Sequence, residues 1–535
     1  MPDDLATTIM RRKSSLEGLR GPHEQLWRDC FDYSFPERGA GFYGESTDAS
    51  ALQAKRARLM DSTSTDSGEI LASAVMSGGT PSNSRWFGLS AGNDSDDEKL
   101  WFDNAAETIF KNIHGSNFDS EGMDCCLDLI AAGWFVLYIE EGVDTGYHFE
   151  EWALSSCYIT ASKPGGLPDT LIRPYEITAE QAINDFGRDA VSEKVRQLVE
   201  RGKQDEKVKF VLSIYPRSAE ATGVRAKNLA FASCHVEVDT KTLVRESGYH
   251  ECPFVAPRWA KLPASEYAIG PMFRALPDIK QLNRLVFLED TNLDMAVSGM
   301  WIAEDDGVLN PRTVKVGPRK IIVANSVDSM KALQSGAKFD LSFTKKDQLQ
   351  AAIRRTLRAD QLAPGDGPVR TAYETSVRVQ MIRQLLGPIY GRMQAEWYSP
   401  MIDRCFGIAF RAGALGAPPE SLVGRVTTVT FQSPMAKAQK LEEVTAIEAT
   451  FATVGQLALA TQDPAVWDTV DIDEGVRIIA EGRGAPAKVT RSAEDIKAIR
   501  DGRAQAQQQA QQQQAQQEMA MPAAQQMAKN MAGGA

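Results

Sequence analysis

The chain has 535 residues, 43% of them hydrophobic and 24% charged, and a formal net charge of −12. That length allows roughly two to four packed regions, and the composition excludes a disordered polyelectrolyte. The acidic balance excludes a surface that coats nucleic acid throughout, because such binding neutralises phosphates, but it permits a local basic lining.

The seven cysteines (Cys30, Cys125, Cys126, Cys157, Cys234, Cys252 and Cys405) are scattered and include no C-x-x-C pair. A reduced interior is expected, with no zinc site. "AAGWFVLYI" at 131–139 is too short to span a bilayer, and "MPDDLATTIMRRK" does not read as a signal peptide. A soluble cytoplasmic product without a membrane association is expected.

In chain order, Leu5, Ile9, Leu16 and Leu19 predict a helix that Gly21-Pro22 stops. A helical zone follows from Ala51 through Ile70, Leu71, Ala74 and Val75 to Gly78-Gly79. Asp96, Asp97 and Glu98 in "NDSDDEKLWF" suit a solvated helix start better than a metal site. From 131 the period changes. "WFVLYIEEGVDTGYHFEEW" predicts two strands joined through Asp144-Thr145-Gly146. Val208, Phe210, Leu212 and Ile214 alternate as in a half-buried strand, and Thr178 and Gln181 stand in capping-box spacing with Gly187 as a stop. Residues 131–260 therefore predict a mixed α+β region.

A helix starting near Pro277 turns Ile279, Leu282, Val286 and Leu293 towards a partner. A turn-rich insert has strand-like ends at 313–316 and 320–324, and a helix returns from about 344. On that helix Leu349, Ile353 and Leu357 form one i, i+4 row, and Lys346, Gln350, Arg354 and Arg358 form another. One side packs and a separate side is cationic. After the Pro/Gly loop Pro364-Gly365-Asp366-Gly367-Pro368, a long helix carries Val377, Met381, Leu385, Ile389, Met393, Trp397 and Met401 at a repeat of four. That stripe winds round a 3.6-residue helix; Pro388 is expected to kink it and Pro400 to end or bend it. Helices resume at Pro434, and from Asp501 the chain collapses to Gln, Ala and Met, for which disorder is the expectation.

Catalytic chemistry has little support. "GAGFYG" at 39–44 satisfies G-x-G-x-x-G, but "FDYSFPER" before it is no buried strand and "ESTDAS" after it opens no phosphate-facing helix. There is no phosphate loop, H-E-x-x-H or G-x-S-x-G, and the five histidines lack ligand spacing. Asp471 and Asp473 in "VDIDEG" fit a helix start better than a cation site. No catalytic, cofactor-binding or metal residue is expected, and enzyme is the weaker class.

Several segments, in order, resemble the head-to-tail connector (portal) family of short-tailed bacteriophages. They are "TPSNSRWFGLS" at 80–90, "YAIGPMFRALPDIKQLN" at 267–283, "TAYETSVRVQMIRQLLGPIYGRMQAEWYSPMIDRCF" at 371–406, "FQSPMAKAQ" at 431–439 and "DIDEGVRIIAEGRGAPAKVTRS" at 471–492. Ala268 and Ile269 make the approach to Gly270-Pro271 less typical of the family. The resemblance implies an α+β, mainly helical protomer, assembled into a ring usually of twelve subunits at one capsid vertex. Double-stranded DNA would pass through the ring during packaging and ejection. Terminase, which carries the ATPase, would dock on it, as would tail adaptor, major capsid and scaffolding proteins.

Carried over by position, 1–270 becomes the wing, 271–297 and 344–360 the stem helices, and 298–343 the clip. Residues 361–370 become the tunnel loop, 371–433 the tunnel helix and return to the wing, 434–500 the crown, and 501–535 a tail. In that frame Lys346, Arg354, Arg358 and Arg370 become candidates to face DNA. The structural alternative pairs them, between subunits, with stem carboxylates such as Asp290 or Asp294. Residues 345–383 hold eight basic and four acidic side chains, a net of +4 in an acidic chain. Duplex DNA carries a charge about every 1.7 Å, so a few basic rows repeated round a ring suffice for weak contacts that never read sequence. Another virion structural protein, a nucleotide enzyme built on 39–44, and a non-viral helical scaffold stay open as alternatives.

Overall fold

In the computed structural model the first helix, α1 (Leu5–Asp32), continues through Gly21-Pro22 instead of stopping there. Contacts on both sides of the proline pin it. The buried Arg20 guanidinium donates to the Cys157 and Ser155 carbonyls at 2.7 and 2.8 Å. Beyond the proline, Trp27 donates to the Ala268 carbonyl at 3.3 Å and packs against Trp134 and Tyr267. These contacts outweigh the roughly 3 kcal/mol that an interior proline costs. Leu19, expected on the packing row, is exposed.

The structure describes residues 5–42, 48–92, 95–143, 146–217, 228–263, 265–298, 300–303, 330–333, 339–362, 387–422, 428–431, 434–483 and 496–509. They belong to two compact units, Met1–Trp86 with Ile109–Ala414, and Phe87–Thr108 with Leu415–Ala535.

In the first unit α2 (Ala49–Arg56) and α3 (Thr63–Gly79) divide the second helical zone. The chain then runs through β1 (Phe87–Ser90) and α4 (Asp96–Gly115) to α5 (Phe118–Ala131). At the start of α4, the Ser95 amide donates to Glu98 at 2.9 Å and the Glu98 amide to the Ser95 hydroxyl at 3.4 Å. This reciprocal cap turns Glu98 inward, where it is 3% exposed, so that acidic run is only partly solvated.

β2 (Leu137–Gly142) and β3 (Gly146–Glu151) pair antiparallel with Gly142 opposite Gly146. Of the three residues expected to turn them, Gly146 opens β3, and Asp144 and Thr145 lie outside the described residues. Then β4 (Tyr158–Thr160), β5 (Thr170–Thr178), β6 (Lys207–Pro216), β7 (Phe231–Glu237) and β8 (Thr242–Tyr249) form an antiparallel sheet in sequence order. Between β5 and β6, α6 (Ala179–Phe186) starts on the Thr178–Gln181 capping box and ends at Gly187, with φ +89°; α7 (Glu193–Glu200) follows.

α6 and α7 cover one face of this sheet at Val208 and Phe210. α1 covers the other, where Ala6, Ile9 and Leu16 meet Ile172, Val211 and Val236. Consequently β6 is buried without a break from Phe210 to Ile214, although its sequence reads as a half-buried strand.

β9 (Phe254–Val255) joins β2, and β10 (Ala260–Lys261) pairs with β11 (Ala268–Ile269). The long α8 (Pro271–Ser298) begins at Pro271, where a proline suits the first turn; Pro277 lies within it. β12 (Met300–Ala303) pairs with β13 (Met330–Leu333), and the strands expected at 313–316 and 320–324 lie outside the described residues. α9 (Phe339–Thr356) starts earlier than 344, and α10 (Ala359–Leu362) follows. A helix resumes over 387–393, passes through a π-helical segment (Gln394–Tyr398) and continues as α11 (Ser399–Arg411).

In the second unit β14 (Thr428–Phe431) pairs with β1. α12 (Pro434–Thr461) packs through Phe451 on Trp467 of a 3₁₀ turn, and α13 (Ile472–Arg483) follows. A Cβ on Gly475 would stand 2.2 Å from the Phe451 ring, so the glycine permits the approach of α13. Asp471 accepts from the Glu474 amide at 3.0 Å and Asp473 holds Arg500 at 2.6 and 2.7 Å; this acidic pair serves a helix start. The Gln/Ala run expected to be disordered from 501 continues a helix over 496–509, and its remainder lies outside the described residues.

The sheet carries a titratable group. His235 on β7 stands opposite Arg245 on β8, and its Nδ1 lies 2.8 Å from the Tyr175 hydroxyl. Burial and Arg245 hold its pKa down at about 4. The unfolded chain binds this proton near pH 6.5, so the contribution is full above that pH and is lost as pH falls towards 4. His235→Gln is therefore expected to flatten the thermal-midpoint profile between pH 6.5 and 4.5, removing about 2 kcal/mol of acid-induced loss.

Candidate functional site

Of the charged residues singled out by sequence, Lys346 and Arg354 lie on α9 and Arg358 just past its end. α8 and α9 pack against each other. Met272, Ala275, Ile279, Leu282 and Val286 are buried on α8, and Leu349, Ile353 and Leu357 on the α9 side. Leu293, expected on the α8 packing row, is 57% exposed.

The second row of α9 divides into three environments. Lys346 Nζ lies 3.9 Å from Glu289 of the same chain. Gln350 donates to Asp61 at 2.9 Å. Arg354 is exposed beside Arg355, both in the last turn, where a cation complements the helix dipole. Arg358 leaves the row: α9 ends at Thr356, and Arg358 is half-buried with φ +59°. Its carbonyl accepts from the Gln361 and Leu362 amides at 3.1 Å, which starts α10. Arg370 and the loop Pro364, Gly365, Asp366, Gly367 and Pro368 lie outside the described residues, as do Val377, Met381 and Leu385.

What sequence reading missed is how the next helix is held. The Arg258 guanidinium, 2% exposed, binds Glu396 through two nitrogens, Nε at 2.9 Å and Nη2 at 3.2 Å, and its own amide donates to the same carboxylate at 3.1 Å. Glu266 and the Gly166 carbonyl take further contacts at 3.4 and 3.3 Å. Residues 258 and 396 are 138 apart, and no spacing in the sequence pairs them.

Glu396 lies in the π-helical segment, and the segment has a local cause. Pro400 has no amide to offer the Glu396 carbonyl, and its ring would crowd that oxygen in an α-helix. The Ser399 amide instead reaches back five residues to Gln394. The wider turn takes up one extra residue, so Pro400 neither ends nor breaks the helix. It also explains the repeat of four: Met393, Trp397 and Met401 are all fully buried, because the π turn cancels the drift that a four-residue repeat accumulates on a 3.6-residue helix.

The same helix is fastened along its length. The Tyr390 hydroxyl donates to the Ala74 carbonyl at 3.0 Å, and a Cβ on Gly78 would collide with that hydroxyl. Tyr147 donates to the Cys405 carbonyl at 3.0 Å, and Glu251 receives Arg404 at 3.0 Å and Arg411 at 2.6 Å. Trp86, from the "RWF" segment, is buried against Tyr398. Its indole donates to His114 Nε2 at 3.2 Å, which leaves Nδ1 to donate to Asp119 at 2.8 Å. Among the described residues no cluster of His, Cys, Asp or Glu could hold a metal ion.

The chain matches the family model of the bacteriophage head to tail connecting protein over residues 6–490. It is 27% identical over 518 residues to the portal protein of Salmonella phage epsilon15, covering 94% of this chain and 91% of that protein. It is also 27% identical over 521 residues to a probable portal protein of Bordetella phage BPP-1, with the same two coverages. A solved chain from the neck of an empty GTA particle covers 73% of this chain and 86% of its own at 12% identity and a TM-score of 0.35, a likeness too slight to argue from.

Removing one partner of a buried ion pair strands the other. Glu396→Gln is expected to cost about 3 kcal/mol, read as a lowered thermal midpoint. The apolar double replacement Arg258→Met/Glu396→Met should cost less than the single substitution, since it strands no charge.

Proposed function

The chain belongs to the family of bacteriophage head-to-tail connecting proteins, and on that premise we propose that it is a portal. It forms a closed ring at one capsid vertex, twelve subunits being the number usual for the family. Duplex DNA enters and leaves the head through its centre. The observation that carries this reading is the likeness to two phage portal proteins over 94% of the chain. The role is structural rather than catalytic. Terminase and tail adaptor proteins dock in turn on the ring, which is built into the virion beside major capsid and scaffolding proteins.

Within the ring, α8 and α9 form the stem, the segment between them the clip, and residues 361–370 the loop that approaches DNA. Lys346 and Arg354 face the duplex from α9, with Arg370 beside the loop and Arg358 at the turn below it. Lys346 stands 3.9 Å from Glu289, which tempers its charge, and this suits a bore through which DNA must slide. Few basic contacts per subunit give weak, sequence-independent, salt-dependent attraction.

Lys346→Gln/Arg354→Gln is expected to leave ring yield nearly intact, since Arg354 is exposed and the half-buried Lys346 pair is long, and such charges contribute about 0–1 kcal/mol per pair. Packaging in an in vitro head-filling assay should change in rate or in DNA retention, and more at low salt than at high. Loss of ring formation in the double variant would make these residues subunit contacts and end the DNA assignment.

A further inference from the structure

On α3, Asp66, Glu69, Ser73 and Ser77 share an exposed face with Ile70 and Ala74, and Leu362 of α10 borders it. Together they line an open groove of about 610 Å³ with two carboxylates at one end and, among the described residues, no basic side chain. Among the described residues Glu69 makes no ion pair, and Asp66 accepts only from the Ser62 hydroxyl, at 3.0 Å.

α8 carries the complement. Phe273 is 37% exposed, and Arg274 beside it is exposed with no ion pair among the described residues. The preceding residue, Met272, is fully buried and reaches α3, where a Cβ on Gly68 would stand 3.3 Å from its methyl. Gly68 immediately precedes Glu69. Met272 and Gly68 are thus neighbours, and the ridge and the groove each begin one residue away from that contact. Phe273 and Arg274 lie about 100° and 200° round α8 from Met272, and Glu69 and Asp66 are turned comparably from Gly68 on α3, so each patch turns away from the shared contact.

A head-to-tail contact that closes into a ring needs two different, complementary patches on one chain, meeting at one height along the ring axis. We propose that Phe273 and Arg274 of one copy seat in the α3 groove of the next copy. Arg274 lies against Asp66 and Glu69, and Phe273 covers Ile70, Ala74 and Leu362. An arginine and an aromatic ring in a partner's pocket are the side chains that most often anchor an interface. This contact rests on the ring reading above and adds the surfaces that meet.

The test uses two full-length variants, Arg274→Glu and Asp66→Lys/Glu69→Lys, each checked for folding by circular dichroism. Alone, each places like charges across every contact, and the concentration needed for assembly should rise about tenfold or more. Mixed in equal amounts they can alternate, so the mixture should regain the assembly size of the unsubstituted chain, with both polypeptides in each particle. Should a variant fail to fold, Glu69→Cys and Arg274→Cys chains, mixed and oxidised, should give a disulfide between different copies. Single variants that assemble like the unsubstituted chain, a folded mixture that does not recover, or no interchain disulfide would overturn the contact while leaving the ring reading standing. An unsubstituted chain that stays monomeric would overturn both.

Discussion

The Arg258 guanidinium is almost wholly buried, and its charge would cost several kcal/mol there without partners on two elements. Glu396 supplies the bidentate one, and through it the helix that follows residue 386 is tied to the segment between β9 and β10. The pair also fixes the register of that helix. Only with the π turn in place does Glu396 point at Arg258 while Met393, Trp397 and Met401 stay buried. A proline that would weaken a free helix becomes the reason for the wider turn, and the wider turn presents the carboxylate.

The first unit uses the same device repeatedly. Arg20 holds two backbone carbonyls in the segment that leads into β4, and Arg404 with Arg411 holds Glu251. Arg38 binds Asp124, Asp128 and Glu151 together. Burial, with Asp128 nearby, pushes the Glu151 carboxyl well above its usual range, so this cluster carries fewer negative charges than its composition suggests. Arginine suits the task because its planar fork keeps its charge and bonds two acceptors at fixed angles.

Sequence pattern made visible whatever is set by neighbours along the chain. The Thr178–Gln181 cap, the Leu349, Ile353 and Leu357 row and the Asp471 helix start are local, and their residues stand as their spacing implies. It misled wherever a distant partner decided. Pro22 did not stop α1 because Arg20 and Trp27 are fixed to residues more than a hundred positions away. β6 read as half-buried because α1, which covers its second face, lies two hundred residues upstream. Arg358 sits at a spacing that continues the basic row, but the helix had already ended at Thr356. Ser95 with Glu98 was a legible capping signal that its acidic neighbours obscured. Arg258 with Glu396 had no signal at all, since an ion pair across 138 residues leaves no period to read.

A portal works only as a closed assembly, because a DNA conduit exists in no single subunit. Electron microscopy of the purified full-length chain, without nucleotide or DNA, tests this most directly. Closed rings with an open centre are the expected result. Monomers at micromolar concentration in mild buffer would contradict it.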